Sequence, residues 1–162
     1  MVRITALVHT CNDGLRLGRC LETLHPCHEI LIVDHGSRDG TLSVAREYGA
    51  MIRTARPGAS PAEYLENKDA GDRSRWILCV DPHESATESL AASLYEWKSE
   101  AISPGAAFAV FLREETPEGW IDDPRAQTRL VPSDWVNWVE RFPAHRSADV
   151  TLEGELLRFV FP

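Results

Sequence analysis

Short apolar runs alternate with segments of helical pattern over the first half of the chain. Four runs, each ended by polar or turn-forming residues, predict buried strands at residues 2–8, 29–33, 50–54 and 75–80. The segments between them predict helices at residues 15–24, 41–48 and 62–70. This alternation predicts a parallel sheet with right-handed crossovers and helices on both faces.

The pattern changes in the second half of the chain. An apolar stripe of Leu90, Leu94 and Trp97 predicts one more helix, from about residue 85 to residue 98. Later strands are predicted at residues 106–113, 127–131 and 155–161. Because no strongly helical segments separate them, we expect an antiparallel or mixed extension of the sheet. The whole chain, 1–162, is predicted to be one α/β domain with halves 1–84 and 85–162.

Net charge and composition exclude some classes of function. A formal net charge of −8 argues against a general nucleic-acid binder, which would gather Lys and Arg on its surface. No signal-peptide pattern and no membrane-spanning stretch is found, and the four cysteines form no CxxC pair, so we expect a reduced, cytoplasmic protein. The histidines at 9, 25, 28 and 35 have no metal-ligand spacing and are expected at loops or on the surface.

Acidic residues follow three of the predicted parallel strands. They lie in the segments 10–13, 34–40 and 81–84. Ligands of open parallel sheets bind at the carboxyl ends of strands, so these segments predict a binding site on one edge. Asp34 in particular has two interpretations, a ligand contact or a cap of the following turn and helix, and the residues alone leave both open.

Three motifs resemble family-two glycosyltransferases. ITALVHTCND (4–13) resembles the first strand of that family, and VDHGSRDGT (33–41) its hallmark turn. WILCVDPHE (76–84) resembles the strand that leads to its DxD metal site. Two later segments, 118–130 and 143–147, resemble the lipopolysaccharide-core branch. The resemblance implies a GT-A (Rossmann-like) fold, with a nucleotide-binding half and a shortened acceptor-side half.

The resemblance also implies roles for particular residues. The nucleotide-sugar site would comprise Thr10, Asn12, Asp13, Asp34, Gly36, Ser37, Asp81 and Arg129. A divalent metal, Mn²⁺ or Mg²⁺, would be bound at Asp81 and His83, although His83 stands where the family has a second Asp. An imidazole there disfavours Mg²⁺, and a helix-capping role for His83 is an equal alternative, so metal dependence stays open.

Asp122 and Asp123 are the candidate general bases, with ordinary turn chemistry as their alternative. The resemblance implies an inverting transfer of sugar from a nucleotide diphosphate donor, a UDP-sugar by preference, to a saccharide or lipid-linked acceptor of cell-envelope polysaccharide. This sugar transfer would take place in the cytoplasm, and at the inner membrane face if the acceptor is lipid-linked. The alternative is a catalytically inactive GT-A-like module for nucleotide binding, scaffolding or dimerisation. We expect a homodimer where a second copy completes the acceptor side.

Overall fold

The computed structural model describes residues 2–65, 74–100 and 102–161. Its first half contains four mutually parallel strands in the order β3-β2-β1-β4. Two short helices, α1 and α2, connect the first three of them. The bounds are β1 Arg3–Thr10, α1 Leu17–Glu22, β2 Glu29–Asp34, α2 Thr41–Glu47, β3 Met51–Thr54 and β4 Arg75–Cys79.

The second half extends the same sheet with mixed pairing. Beyond β4 the order is β8-β6-β11-β5, with β7 as a hairpin on β6. β8 is antiparallel to both β4 and β6, whereas β6 and β11 are parallel. The bounds are β5 Glu84–Ala86, α3 Glu88–Trp97, β6 Phe108–Thr116, β7 Gly119–Asp122, β8 Gln127–Pro132, β9 Trp138–Val139, β10 Phe142–Pro143 and β11 Val150–Arg158. A separate small sheet is formed by β9 and β10.

Two apolar clusters cover the two faces of the sheet. Alternate residues of β1 divide between them, with Ile4, Ala6 and Val8 in one cluster and Leu7 in the other. The first cluster contains buried apolar residues of α1, α2 and α3. The second is closed by Tyr64, Leu65 and Trp135. In the described ranges, therefore, all three α-helices pack on one face, which differs from the predicted helices on both faces.

Two predicted elements differ locally. In place of a helix over 62–70, the chain forms a 3-10 turn, Pro61–Tyr64, and residues 66–70 lie outside the described residues. The helix predicted from residue 85 begins at Glu88, where the Thr87 hydroxyl accepts the backbone N–H of Leu90 at 3.2 Å. Residues 84–86 instead form β5, which pairs with β11.

A glycine permits the close packing of α3 on β11. Gly154 lies at a register shift in β11 and has φ of +92°. A Cβ atom there would lie 2.2 Å from the backbone nitrogen of Leu90. Only glycine combines this backbone conformation with this approach.

Candidate functional site

The loop after β1 is held in place by hydrogen bonds within the protein. Asp13 is 7% exposed, and its carboxylate accepts the Thr10 hydroxyl at 2.6 Å and Arg16 at 2.8 Å. Asn12 has φ of 56°, and its side-chain oxygen accepts the backbone N–H of Arg38 at 2.7 Å. The polar groups that the sequence assigned to a ligand thus hydrogen-bond to other groups of the protein, and these bonds fix the shape of the loop.

The loop after β2 brings Asp34 to the edge of the sheet. Asp34 is mostly buried, and its two carboxylate oxygens lie 3.1 and 3.3 Å from the backbone N–H of Ser37, which donates to them. Gly36 permits this turn with φ of +89°, and the Ser37 hydroxyl accepts the backbone N–H of Asn12 at 3.0 Å. Asp34 therefore does close its own turn, one of the two interpretations that the sequence left open.

Asp34 also lines a cavity of about 530 Å³ beside the ends of β1, β2 and β3. This volume is in the range of small-molecule sites. Its walls come from the ends of the strands, from the loop after β3 and from the turn between β9 and β10. They are lined by His9, Asp34, His35, Gly36, Thr54, Ala55, Arg56, Pro57, Gly58, Ala59, Pro61, Tyr64, Glu140 and Arg141. Of the predicted site residues, this set contains Asp34 and Gly36.

Two histidines form a hydrogen-bonded pair in the cavity wall. His9 Nδ1 and His35 Nε2 are 2.9 Å apart, and the His9 ring also packs edge-on against Tyr64. Burial, with the nearby His35 and Arg141, lowers the pKa of His9 to about 4. Burial and Arg141 also lower the pKa of His35, against the opposing effect of Asp34. Both rings are therefore neutral at neutral pH.

The expectation that His9 is a loop or surface residue is wrong, because it lies in β1 and is only 9% exposed. Its Nε2 atom is buried without a hydrogen-bond partner among the described residues. The sequence held a signal for this burial. His9 continues the alternation of Thr5 and Leu7, whose side chains lie on the same face of the strand.

Arg141 is a cavity residue that the sequence did not reveal. It lies in the exposed turn between β9 and β10 and borders both the large cavity and a space of about 10 Å³ beside Asp81. Within residues 2–65, 74–100 and 102–161, its guanidinium forms no hydrogen bond or ion pair. No local pattern could have placed Arg141 here, because its neighbours His9 and Asp81 are far away along the chain.

Asp81 and His83 hydrogen-bond to each other. Asp81 Oδ1 accepts the backbone N–H of His83 at 2.9 Å and lies 2.7 Å from His83 Nδ1. Arg158 approaches the same oxygen at 3.5 Å. Burial tends to raise the pKa of Asp81, but the hydrogen bonds from His83 and the charge of Arg158 outweigh it and hold that pKa below its ordinary value. Asp81 thus already has partners of its own.

This arrangement does not fit the predicted metal site. In the part of the chain that the structure describes, no group of three or more His, Cys, Asp or Glu side chains is arranged to bind a metal ion. The His83 nitrogen nearest to Asp81 is directed at the carboxylate, and the cation of Arg158 lies beside it. A carboxylate and an imidazole that hydrogen-bond to each other next to an arginine form a poor site for Mn²⁺ or Mg²⁺.

Arg129 is part of the protein interior, which corrects its assignment to the nucleotide-sugar. Its guanidinium forms two hydrogen bonds with Glu84, at 2.7 and 2.9 Å, and a third with the Cys79 carbonyl at 3.1 Å. The ring of Phe142 stacks on it at 4.1 Å. The side chains of Arg129 and Glu84 are 3% and 1% exposed. A cation enclosed in this way has no free face for a phosphate.

The two candidate general bases lie on the β6–β7 hairpin. The Asp122 side chain is 77% exposed, and its carboxylate is 2.7 Å from the guanidinium of Arg113. The Asp123 carboxylate accepts the backbone N–H of Arg125 at 2.9 Å, an ordinary turn contact. Trp120, on the same hairpin, packs edge-on against Phe159. Neither aspartate lines the cavity that contains Asp34.

Two curated proteins are similar to parts of the chain, whereas no protein-family model matches it. A lipopolysaccharide core biosynthesis glycosyltransferase, LpsC of Rhizobium meliloti, is 42% identical over 45 residues, which are 28% of this chain and 17% of that protein. A TPR repeat-containing protein of Synechococcus elongatus is 27% identical over 122 residues, which are 75% of this chain and 30% of that protein. The chain therefore spans less than a third of either relative.

Among solved structures, TarS of S. aureus (residues 1–349), a GT-A glycosyltransferase, superimposes with a TM-score of 0.53. The sequences are 17% identical, and the match covers 76% of this chain and 39% of that one. The predicted GT-A fold, with a mostly parallel first half and a mixed extension, is thus confirmed. The predicted resemblance to glycosyltransferases is confirmed as well. In the described residues, no helix is both long enough and apolar enough to cross a membrane.

Proposed function

We propose that this chain binds the nucleotide of a nucleotide-diphosphate sugar, a UDP-sugar by preference, as part of an inverting glycosyltransferase. The acceptor would be a saccharide or a lipid-linked saccharide of the cell envelope, and the reaction would take place in the cytoplasm. The GT-A fold and the local similarity to a lipopolysaccharide core glycosyltransferase support this class of donor and acceptor. The domain boundary between a nucleotide-binding half, 1–84, and an acceptor-side half, 85–162, belongs to the same proposal.

The observation that carries the proposal is the cavity at the carboxyl ends of β1, β2 and β3. Open parallel sheets bind nucleotides at this edge. The carboxylate of Asp34 can accept hydrogen bonds from a ribose hydroxyl or a base imide. The glycine at position 36 lets a ligand approach the backbone closely. Thr10, Asn12, Asp13 and Ser37 would then support this site by holding its loops.

In the proposed reaction, the oxygen of an acceptor hydroxyl forms a bond to the anomeric carbon of the donor sugar. The bond between that carbon and the phosphate oxygen breaks, and the nucleoside diphosphate leaves with the electron pair. The hydroxyl proton passes to a carboxylate, for which Asp122 or Asp123 is proposed as the base. Either one would have to act from the exposed β6–β7 hairpin.

Calorimetric titration of the whole chain with UDP, GDP and their glucose and mannose conjugates tests the nucleotide site. Asp34→Asn should weaken binding of the preferred nucleotide about tenfold or more, since hydrogen bonds to a charged group contribute about 1.5–3 kcal/mol. The matched control is Asp39→Asn in the same loop. Asp39 accepts the backbone N–H groups of Gly14 and Thr41 and does not line the cavity. It should change the affinity less than about twofold.

A nucleotide-binding module without catalysis is the second candidate. It is favoured by the Asp81–His83 hydrogen bond, by the exposure of Asp122 and by the long, weak similarity to a TPR repeat-containing protein. Three results together would favour this candidate. The chain would bind a nucleotide, Asp34→Asn would weaken that binding, and the chain would neither hydrolyse a nucleotide sugar nor transfer its sugar to saccharide acceptors. Absence of nucleotide binding in every combination would contradict both candidates.

Light scattering tests the predicted homodimer.

A further inference from the structure

We infer that Arg141 binds the diphosphate of the nucleotide directly and that this site takes a nucleoside diphosphate without a divalent cation. The inference rests on the proposed function, because it concerns the ligand of the same cavity. It starts from three observations on one edge of the sheet. Among the described residues, one guanidinium and one buried ring nitrogen have no partner there, and one acidic residue already has partners.

Arg141 lies where a diphosphate would extend from a nucleoside. It borders the cavity that contains Asp34 and also the smaller space beside Asp81. In the described residues no carboxylate pairs with it. A guanidinium with open donors is well suited to phosphate oxygens, to which it can donate two parallel hydrogen bonds.

The buried Nε2 atom of His9 is an independent sign of a ligand next to Arg141. His9 borders the same two spaces as Arg141, and its Nε2 lacks a partner among the described residues. If His35 donates its Nε2–H to His9 Nδ1, then His9 carries its own proton on Nε2 and can donate it. An acceptor such as a phosphate oxygen, or a water held by one, would satisfy this atom.

The surroundings of Asp81 favour a protein cation over a metal ion. Asp81 Oδ1 accepts from His83 and lies near Arg158, so the negative charge that would attract a divalent ion is already partly balanced. Asp34 and Glu140 in the cavity wall and the net charge of −8 would still repel a diphosphate. Positive charge must therefore come from elsewhere, and Arg141, with Arg56 also in the cavity wall, supplies it.

Calorimetry with UDP and with uridine, each in EDTA and in Mn²⁺, tests the inference on the whole chain. We expect UDP to bind in EDTA within about twofold of its affinity in Mn²⁺. Arg141→Ala should weaken UDP binding about 10- to 100-fold and uridine binding less than about twofold, since only UDP presents the diphosphate. Arg141→Lys should recover part of the lost affinity because it restores the charge but not the paired hydrogen bonds.

Arg46→Ala is the matched control, since it removes the same charge from the exposed face of α2, away from the cavity. It should leave UDP affinity within about twofold of the unmodified chain. UDP binding that requires Mn²⁺, or equal effects of Arg141→Ala and Arg46→Ala, would overturn the inference and leave the proposed function intact. Failure of both UDP and uridine to bind under any condition would overturn the proposed function and this inference with it.

Discussion

The two halves of the sheet share an apolar core but differ in the polar and backbone contacts that they add to it. In the first half, β1, β2 and β4 carry buried apolar side chains, and β1 pairs in parallel with both β2 and β4. In the second half, the buried charges of Arg129 and Glu84 join β8 to β5, and Gly154 brings β11 against the backbone of α3. Both halves therefore bury apolar side chains, and the second half adds a few specific contacts that each depend on a single residue.

This difference indicates where single substitutions do the most harm. A buried apolar side chain contacts many others, so its neighbours can close part of the cavity that its truncation leaves. Substitution in a buried ion pair or at a crowded glycine affects stability through one position. The unpaired buried charge or the backbone overlap that results cannot be relieved by small shifts of the neighbouring residues. The carboxyl edge of the first half is the exception, since it contains the neutral pair of His9 and His35.

The largest effect is expected for the ion pair that joins β8 to β5. Arg129→Ala leaves the carboxylate of Glu84 buried without its partner, so the free energy of unfolding should fall by about 3–5 kcal/mol. Urea titration followed by circular dichroism measures this change.

Arg113→Ala on the neighbouring strand β6 is the control. Arg113 pairs with Asp122 in an exposed position, and its removal should cost less than about 1 kcal/mol. Similar losses of unfolding free energy for the two variants would show that burial of an ion pair does not determine how much the pair stabilises the protein.

The same contrast explains how far the sequence could predict this molecule. Strands β1 to β4 were predicted within two residues at either end, because each is a local apolar run with its own turn signals. In the second half, β5 was mistaken for the start of a helix. Its buried Glu84 is satisfied by an arginine 45 residues away, and no local pattern reveals such a partner.

The candidate site divides in the same way. The sequence pointed to Asp34 and Gly36 through a local motif, and both line the cavity. It missed Arg56, Tyr64 and Arg141, which reach the cavity from loops that only the folded chain brings together. It also assigned Arg129 to a ligand, because nothing near position 129 in the sequence indicates its partner Glu84.

The next largest effect tests whether close approach of α3 and β11 holds the second half together. Gly154→Ala combines a left-handed backbone with a Cβ atom 2.2 Å from the Leu90 nitrogen, so we expect a loss of about 3 kcal/mol or more. Gly49→Ala, in the first half, is the matched control. Its φ is also positive, at +69°, but no atom lies within 4 Å of the added Cβ, so about 1 kcal/mol should be lost. Equal losses in thermal or urea unfolding would assign the whole effect to backbone conformation.

The smallest effect concerns the acid sensitivity of the first half. His9 has a pKa of about 4 in the folded chain, below its ordinary 6.5, so the unfolded chain binds a proton that the folded chain does not. The contribution of His9 to the free energy of unfolding is therefore fully present above the pKa of the unfolded chain. It is lost as the pH falls towards the pKa of the folded chain, by about 2 kcal/mol between about pH 7.5 and about pH 5.

The pH dependence of His9→Gln tests this sign directly. The variant cannot take up the proton, so its urea-unfolding free energy should fall less over that range than the free energy of the unmodified chain, by about 2 kcal/mol. His25→Gln, at an exposed ring outside the cavity, is the matched control for the substitution itself. If His9→Gln keeps the original pH dependence, the acid sensitivity over this range must arise from other groups, such as His28 and His35, whose pKa values are also lowered in the folded chain.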